Sequence, residues 1–208
     1  MRIATVVKSL VAVTALGMPL LVNAESNFQT GNTALTATAH VDFQITIPKF
    51  LFLRVGTGTG TAAGGFATNA TIDEITWAPT AAQVGTGALA GTGGDLTGGV
   101  ETAVVVANNG IVALSSTTTS ALSDGAGDTI SYGQITTTAS HNTTATTLAA
   151  PALADGATTS INLPVVGKIT QLDAKWAYTY ANNTVPVAGT YGGVNVNGGR
   201  VTYTAALP

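Results

Sequence analysis

Residues 40–47, HVDFQITI, alternate strictly: Val41, Phe43, Ile45 and Ile47 fall on one face, His40, Asp42, Gln44 and Thr46 on the other. A period of two rich in β-branched residues predicts a half-buried strand. The alternation runs back more weakly through Leu35, Ala37 and Ala39. Pro48 interrupts it, having no N–H to give to a ladder. Residues 50–55, FLFLRV, then predict a second strand, buried on both faces until Arg54. Further strands are predicted over 71–77, 101–107, 111–116, 129–138, 159–166, 174–180 and 199–205. Asn109-Gly110 lies between two apolar runs and predicts a hairpin, since both residues tolerate positive φ. Asn197-Gly198-Gly199 predicts the same before the last strand. No segment carries a sustained helical period, so the expected fold is all-β, a sandwich or barrel. Residues 80–100 and 136–150 are poor in pattern and read either as loops or as edge strands.

The first 24 residues change this picture. Arg2 and Lys8 accompany an apolar stretch ending in Val22-Asn23-Ala24. That is the pattern of a secretory signal peptide, too short and too broken by Gly17 and Pro19 for a membrane span. Export is expected, with a mature chain from Glu25. Loss of Arg2 and Lys8 leaves five basic residues against ten acidic, net −5, with no basic cluster. A nucleic-acid partner is therefore not expected. The chain has no cysteine, so neither disulfides nor thiolate chemistry is available. Thr, Ala and Gly dominate while Lys, Glu, Arg and Gln are scarce, as in sheets joined by glycine-rich connections.

Candidate chemistry is sparse. Gly56, Gly58 and Gly60 follow an apolar run, as in a phosphate-binding loop. Their spacing is Gly-x-Gly-x-Gly, however, and the loop leads into more glycine and a strand pattern. A pyrophosphate needs the N-terminus of a helix there, so no cofactor is expected. His40 and His141 have no nucleophile motif around them and read as surface residues. Asp73, Glu74 and Glu101 offer glycosidase-like carboxylates only if space brings them together; the neighbours Asp73 and Glu74 point to opposite strand faces. No enzyme activity is expected. Asp124 and Asp128 flank two glycines like a fragment of a calcium loop, but calcium takes about six to eight oxygens. A tight turn is the simpler reading, and no metal is assigned. Asn69, Asn142 and Asn182 head Asn-x-Thr triplets, as chance allows in a Thr-rich chain. Trp176, Tyr178 and Tyr180, with Val201 and Tyr203, repeat at period two and read either as a core face or as a sugar-stacking platform.

The two ends of the mature chain, TALTATAHVDFQITIP and VAGTYGGVNVNGGRVTYTAALP, resemble the termini of chaperone–usher pilin subunits. The resemblance covers the first and last few tens of mature residues. It implies an immunoglobulin-like (pilin-like) antiparallel β-sandwich, left incomplete and completed by strand exchange. It divides the chain into a signal peptide (1–24), an N-terminal extension or donor strand (25–47) and a sandwich domain (48–208). It implies a structural subunit of a surface filament with a role in adhesion, exported through the periplasm to the cell surface. Its partners would be copies of itself, a periplasmic chaperone and an outer-membrane usher. Leu35, Val41, Phe43, Ile45 and Ile47 would be the plugs contacting the next subunit, because the residues before them offer mainly Phe28 and small alanines. Many such pilins carry a disulfide after the extension, which this chain lacks. Two alternatives stay open: that residues 35–47 are the first strand of a complete domain, and that the protein is a monomeric secreted or surface module binding a glycan or a surface receptor.

Overall fold

In a computed structural model of the chain, residues 26–208 are described. The signal-peptide reading of residues 1–24 lies outside them. The chain divides into two units, Met1–Ile47 and Pro48–Pro208. In the first, residues 26–47 form no strand. Val41, Phe43, Ile45 and Ile47 are 74%, 91%, 86% and 74% exposed, and Leu35 is 49% exposed. The half-buried strand expected over 40–47 is therefore not formed. Alternation supplies an apolar face, but a strand also needs a neighbouring backbone to take its N–H and C=O groups.

The second unit is built from short strands. In chain order they are β1 (Leu51–Val55), β2 (Ile75–Thr76), β3 (Leu89–Ala90), β4 (Thr92–Gly93), β5 (Val100–Ala107) and β6 (Ala113–Thr118). There follow β7 (Leu122–Ser123), β8 (Thr129–Ile130), β9 (Ile135–Ser140), β10 (Thr158–Asn162), β11 (Thr170–Tyr180) and β12 (Val201–Ala206), with one 3₁₀ turn at Tyr132–Gln134. The larger sheet places β5 between β1 and β11. The far side of β11 carries β9, and β3 continues the line of β5 along β11. The smaller sheet has β6 between β10 and β12. Two further pairs, β2–β4 and β7–β8, complete the set, and every pairing between strands is antiparallel. The fold is thus all-β, with several antiparallel sheets consistent with a β-sandwich.

One core joins the two main sheets. Ala103, Val105 and Ala107 of β5 and Leu172, Ala174, Trp176 and Tyr178 of β11 cluster with Leu114 of β6. Trp176 is fully buried, and its indole N–H donates to Leu148 O at 2.8 Å. It is a core anchor and not part of a sugar-stacking surface.

Two local expectations fail for a shared reason. Asn109-Gly110 is no hairpin, because β5 and β6 belong to different sheets. Both edges of β5 are already taken, by β1 and β11, so β6 cannot pair there. Gly110, at φ +128°, instead carries the chain between sheets, its N–H donating to Lys168 O at 3.0 Å. Asn197 and Gly198 do take positive φ, but no strand precedes them. β1, expected to be buried on both faces, is half-buried or exposed along its length because it is an edge strand.

The glycine-rich segment after β1 folds back on the outer face of the larger sheet. Phe52, Val106 and Gln171 are cross-strand neighbours there. Phe66 stacks on Phe52 with ring centroids 4.7 Å apart, and Gln171 donates to the carbonyl of buried Ala62 at 2.5 Å. This is why β5 is buried on both faces.

The Thr-rich stretch is organised by one buried carboxylate. Beyond β9, Asp173 on β11, fully buried, accepts from Asn142 Nδ2 (3.0 Å), Thr143 N (3.0 Å), Thr143 Oγ1, Thr144 N (2.9 Å) and Thr144 Oγ1 (2.8 Å). Burial alone pushes this carboxyl up, and the donors of Thr143 and Thr144 outweigh it, bringing it from 3.8 to about 2. A depressed carboxyl contributes stability that is present above its ordinary range and lost as pH falls through the folded value. Asp173→Ala is expected to lower the unfolding free energy by about 3 kcal/mol, since it strands a set of donors. Asp173→Asn should remove the loss of stability between about pH 4 and about pH 2. Denaturant melts across that range check both.

Candidate functional site

Each main sheet ends in edge strands, and two of these, one from each sheet, run close together. β1 ends the larger sheet and β12 ends the smaller one. Beside them lies a groove of about 320 Å³, lined by residues 52–55 of β1, residues 57–59 of the loop after it, the segment 67–72 and the start of β12 at residues 201–203. Along β12, Val201, Tyr203 and Ala205 alternate with exposed Thr202, Thr204 and Ala206. Leu53 and Val55 of β1 supply the other wall. These inward residues pack on the core yet remain only half-buried, whereas Ala103, Val105 and Leu114 behind them are completely covered. The core is thin on this side for a simple reason: no strand pairs with the outer edges of β1 and β12.

The end of the groove is tied down by polar groups. Arg54 donates from Nε to Gly56 O (2.7 Å), from Nη1 to Gly60 O (3.1 Å) and from Nη2 to Asp95 Oδ2 (2.8 Å). Asp95 Oδ1 also accepts from Thr102 N at 2.7 Å. The glycine loop thus turns carbonyls toward a guanidinium, and no helix follows it. A phosphate cradle would present amides and a helix N-terminus.

Beside this loop the fold brings Asp73 and Glu101 together. Asp73 accepts from Thr57 N and, at 2.8 Å, from Thr57 Oγ1. Glu101 is 4% exposed and shares the inward register of β5 with Ala103, Val105 and Ala107. The amide of Asp95 donates to its Oε2 at 3.4 Å. Burial, then the charge of Asp73, pushes Glu101 from 4.5 to about 8. A glycosidase needs room for a sugar between its carboxylates, and this pair instead closes on the Cα of Gly56. Desolvation and the neighbouring carboxylate both favour the protonated form of Glu101.

The remaining sequence candidates are placed apart. His141 is exposed in the loop after β9, and Glu74 is exposed ahead of β2. Asp124 Oδ1 accepts from the amides of Ala126, Gly127 and Asp128, so the calcium-like stretch is a self-capped turn. Among the described residues no acidic or histidine cluster is arranged to hold a metal. Asn182 is buried, accepting from Gly85 N (3.0 Å) and donating to Gln83 O (2.7 Å) and Gly87 O (2.9 Å). It serves as a loop anchor, not a surface glycan acceptor. Tyr178 and Tyr203 hydroxyls meet at 3.0 Å in the core beside the groove.

Gly56 is the tightest point of the site. It sits at φ +83°, and a Cβ there would collide with Asp73 Oδ2 and lie 2.6 Å from Glu101 Oε2. Gly56→Ala is expected to lower stability by about 2 kcal/mol, combining left-handed strain with displacement of the carboxyl pair. Thermal melts, with Gly64→Ala as a comparison where nothing lies within 4 Å, isolate the contact from the backbone effect.

Compared with known proteins, the chain matches no family model, no curated protein and no solved structure, so its function is read from the groove, its two free strand edges and the exposed segment 35–47.

Proposed function

We propose that this protein is an exported structural subunit of a cell-surface filament that polymerises by donor-strand exchange. In this reading Pro48–Pro208 is an immunoglobulin-like sandwich lacking one strand, and residues 35–47 of a neighbouring copy fill the groove beside β1 and β12. The observation that carries it is the pair of unpaired edges flanking a half-covered core.

Physical complementarity supports the pairing. The run Val41 to Ile47, seven residues, is one residue longer than the six of β12. Its apolar side chains recur at the period with which a strand presents one face to a core. Val41, Phe43, Ile45 and Ile47 each contribute about 1.5–3 kcal/mol when taken from water into such a face. Backbone bonds to the free edge of β12 set the direction and register. An open edge also invites wrong pairings, which gives a periplasmic chaperone its role before an outer-membrane usher hands the subunit on. Display of the filament at the surface is the basis of a role in adhesion.

Phe43→Asp and Ile45→Asp, each in the full chain, are expected to abolish filaments in electron micrographs and the ladder of stable multimers on unboiled gels. Thr46→Asp, on the opposite face, should leave both intact. Charged variants at 43 and 45 that polymerise like the parent would sink the reading.

A further inference from the structure

The carboxyl pair at the end of the groove is not among the groups that hold the donor strand in the reading above, and its surroundings define a second role. Glu101 faces inward from β5 and is 4% exposed. Asp73 reaches it from the segment before β2, and both border the same space at Gly56. Asp95, from the loop after β4, is the third carboxylate, and its charge is matched by Arg54 of β1 at 2.8 Å. From the core side the groups facing Glu101 are the neutral hydroxyls of Tyr178 on β11 and Tyr203 on β12. Arg54 is therefore engaged by Asp95, and the other guanidinium lining the groove, Arg200, comes from the residue before β12. Two anions cannot share so small a dry space, so the pair is stable only while one proton sits between them.

We propose that Glu101 and Asp73 form a proton-dependent latch that holds the Gly56–Gly60 loop over the end of the groove. With Glu101 protonated, its O–H donates to Asp73, and Asp73 in turn holds Thr57 through its amide and hydroxyl. Loss of that proton sets two charges against each other across Gly56. Asp73 is the less buried of the two and moves, Thr57 is released, and the loop wall of the groove opens. A raised carboxyl binds in the folded chain a proton that the unfolded chain gives up, so stability falls as pH rises from about 4.5 to about 8. The latch stands on the local geometry; its effect on assembly rests on the donor-strand reading.

Three measurements on the full chain test this. The thermal midpoint of the parent should fall by several degrees between about pH 5.5 and pH 8.5, and that of Glu101→Gln should stay flat across the range. Protection of the Thr57 amide from hydrogen exchange should fall about tenfold over the same interval in the parent alone. Asp73→Asn gives a second test should the Gln variant fold poorly: it should make the fall smaller, the part due to burial of Glu101 remaining. A flat midpoint and constant Thr57 protection in the parent would overturn the latch. So would a midpoint at pH 8.5 restored by millimolar calcium chloride, which would make the pair a cation site. A synthetic peptide of residues 35–47 should enter the groove faster at pH 8.5 than at pH 5.5. A midpoint that moves with pH while no peptide binds at either pH would leave the latch standing and remove the groove as its target.

Discussion

The backbone of β1 and β12 has hydrogen-bonding groups on its outer edges that no other strand satisfies, and the rest of the second unit is arranged around that vacancy. Each edge lies in a different sheet, and the two strands run close to one another without forming a ladder. Water can satisfy the N–H and C=O groups, but water cannot cover Leu53, Val55, Val201, Tyr203 and Ala205, which stay half-buried as a consequence. A segment able to relieve both deficits must bring a backbone and an alternating apolar face together. That combination is what residues 35–47 carry in exposed form.

In a chain without cysteine, polar side chains tie loops to the sheets. Asp173 gathers the loop after β9, Asn182 gathers residues 83–87, and Arg54 gathers residues 56–60. Each sits on or beside a strand and reaches main-chain groups of a loop distant in sequence or otherwise unsupported. A hydrogen-bonded anchor of this kind gives less than a covalent link, on the order of 1 kcal/mol per bond. Several bonds converging on one residue make up the difference, and the anchor fails as a unit if that residue is changed.

Much of the fold was legible because strand periodicity is local. Residues 101–107, 174–180 and 199–205 were read as strands and correspond to β5, β11 and β12, with ends shifted by a few residues. Pairing order was not legible, and the misread Asn109-Gly110 shows why. Its turn chemistry was sound, but whether a turn closes a hairpin depends on whether the preceding strand still has a free edge, and β5 has none. The same limit hid the groove, which is a property of which strands lie last in each sheet. The segment 40–47 shows the converse, since a clear strand pattern does not make a strand without a partner. Glu101 was partly visible: its phase places it on the same face as Ala103, Val105 and Ala107, an acid where the pattern calls for an apolar residue.

Asp173 and Glu101 are both carboxylates buried from solvent on strands of the same sheet, yet they move in opposite directions from their ordinary values. The difference lies in the donors. Five N–H and O–H groups converge on Asp173, enough to outweigh desolvation and keep it ionised. Glu101 has one distant amide, and its nearest neighbours are two more acids. A charge so well supplied as Asp173 stays ionised until the pH falls to about 2. One so poorly supplied as Glu101 costs stability whenever it ionises, and a packed sheet gains nothing by keeping it where an apolar side chain would fit the register. Its position is beside Gly56, where the loop bordering the groove is also held by Arg54 and by the carbonyl of Thr102.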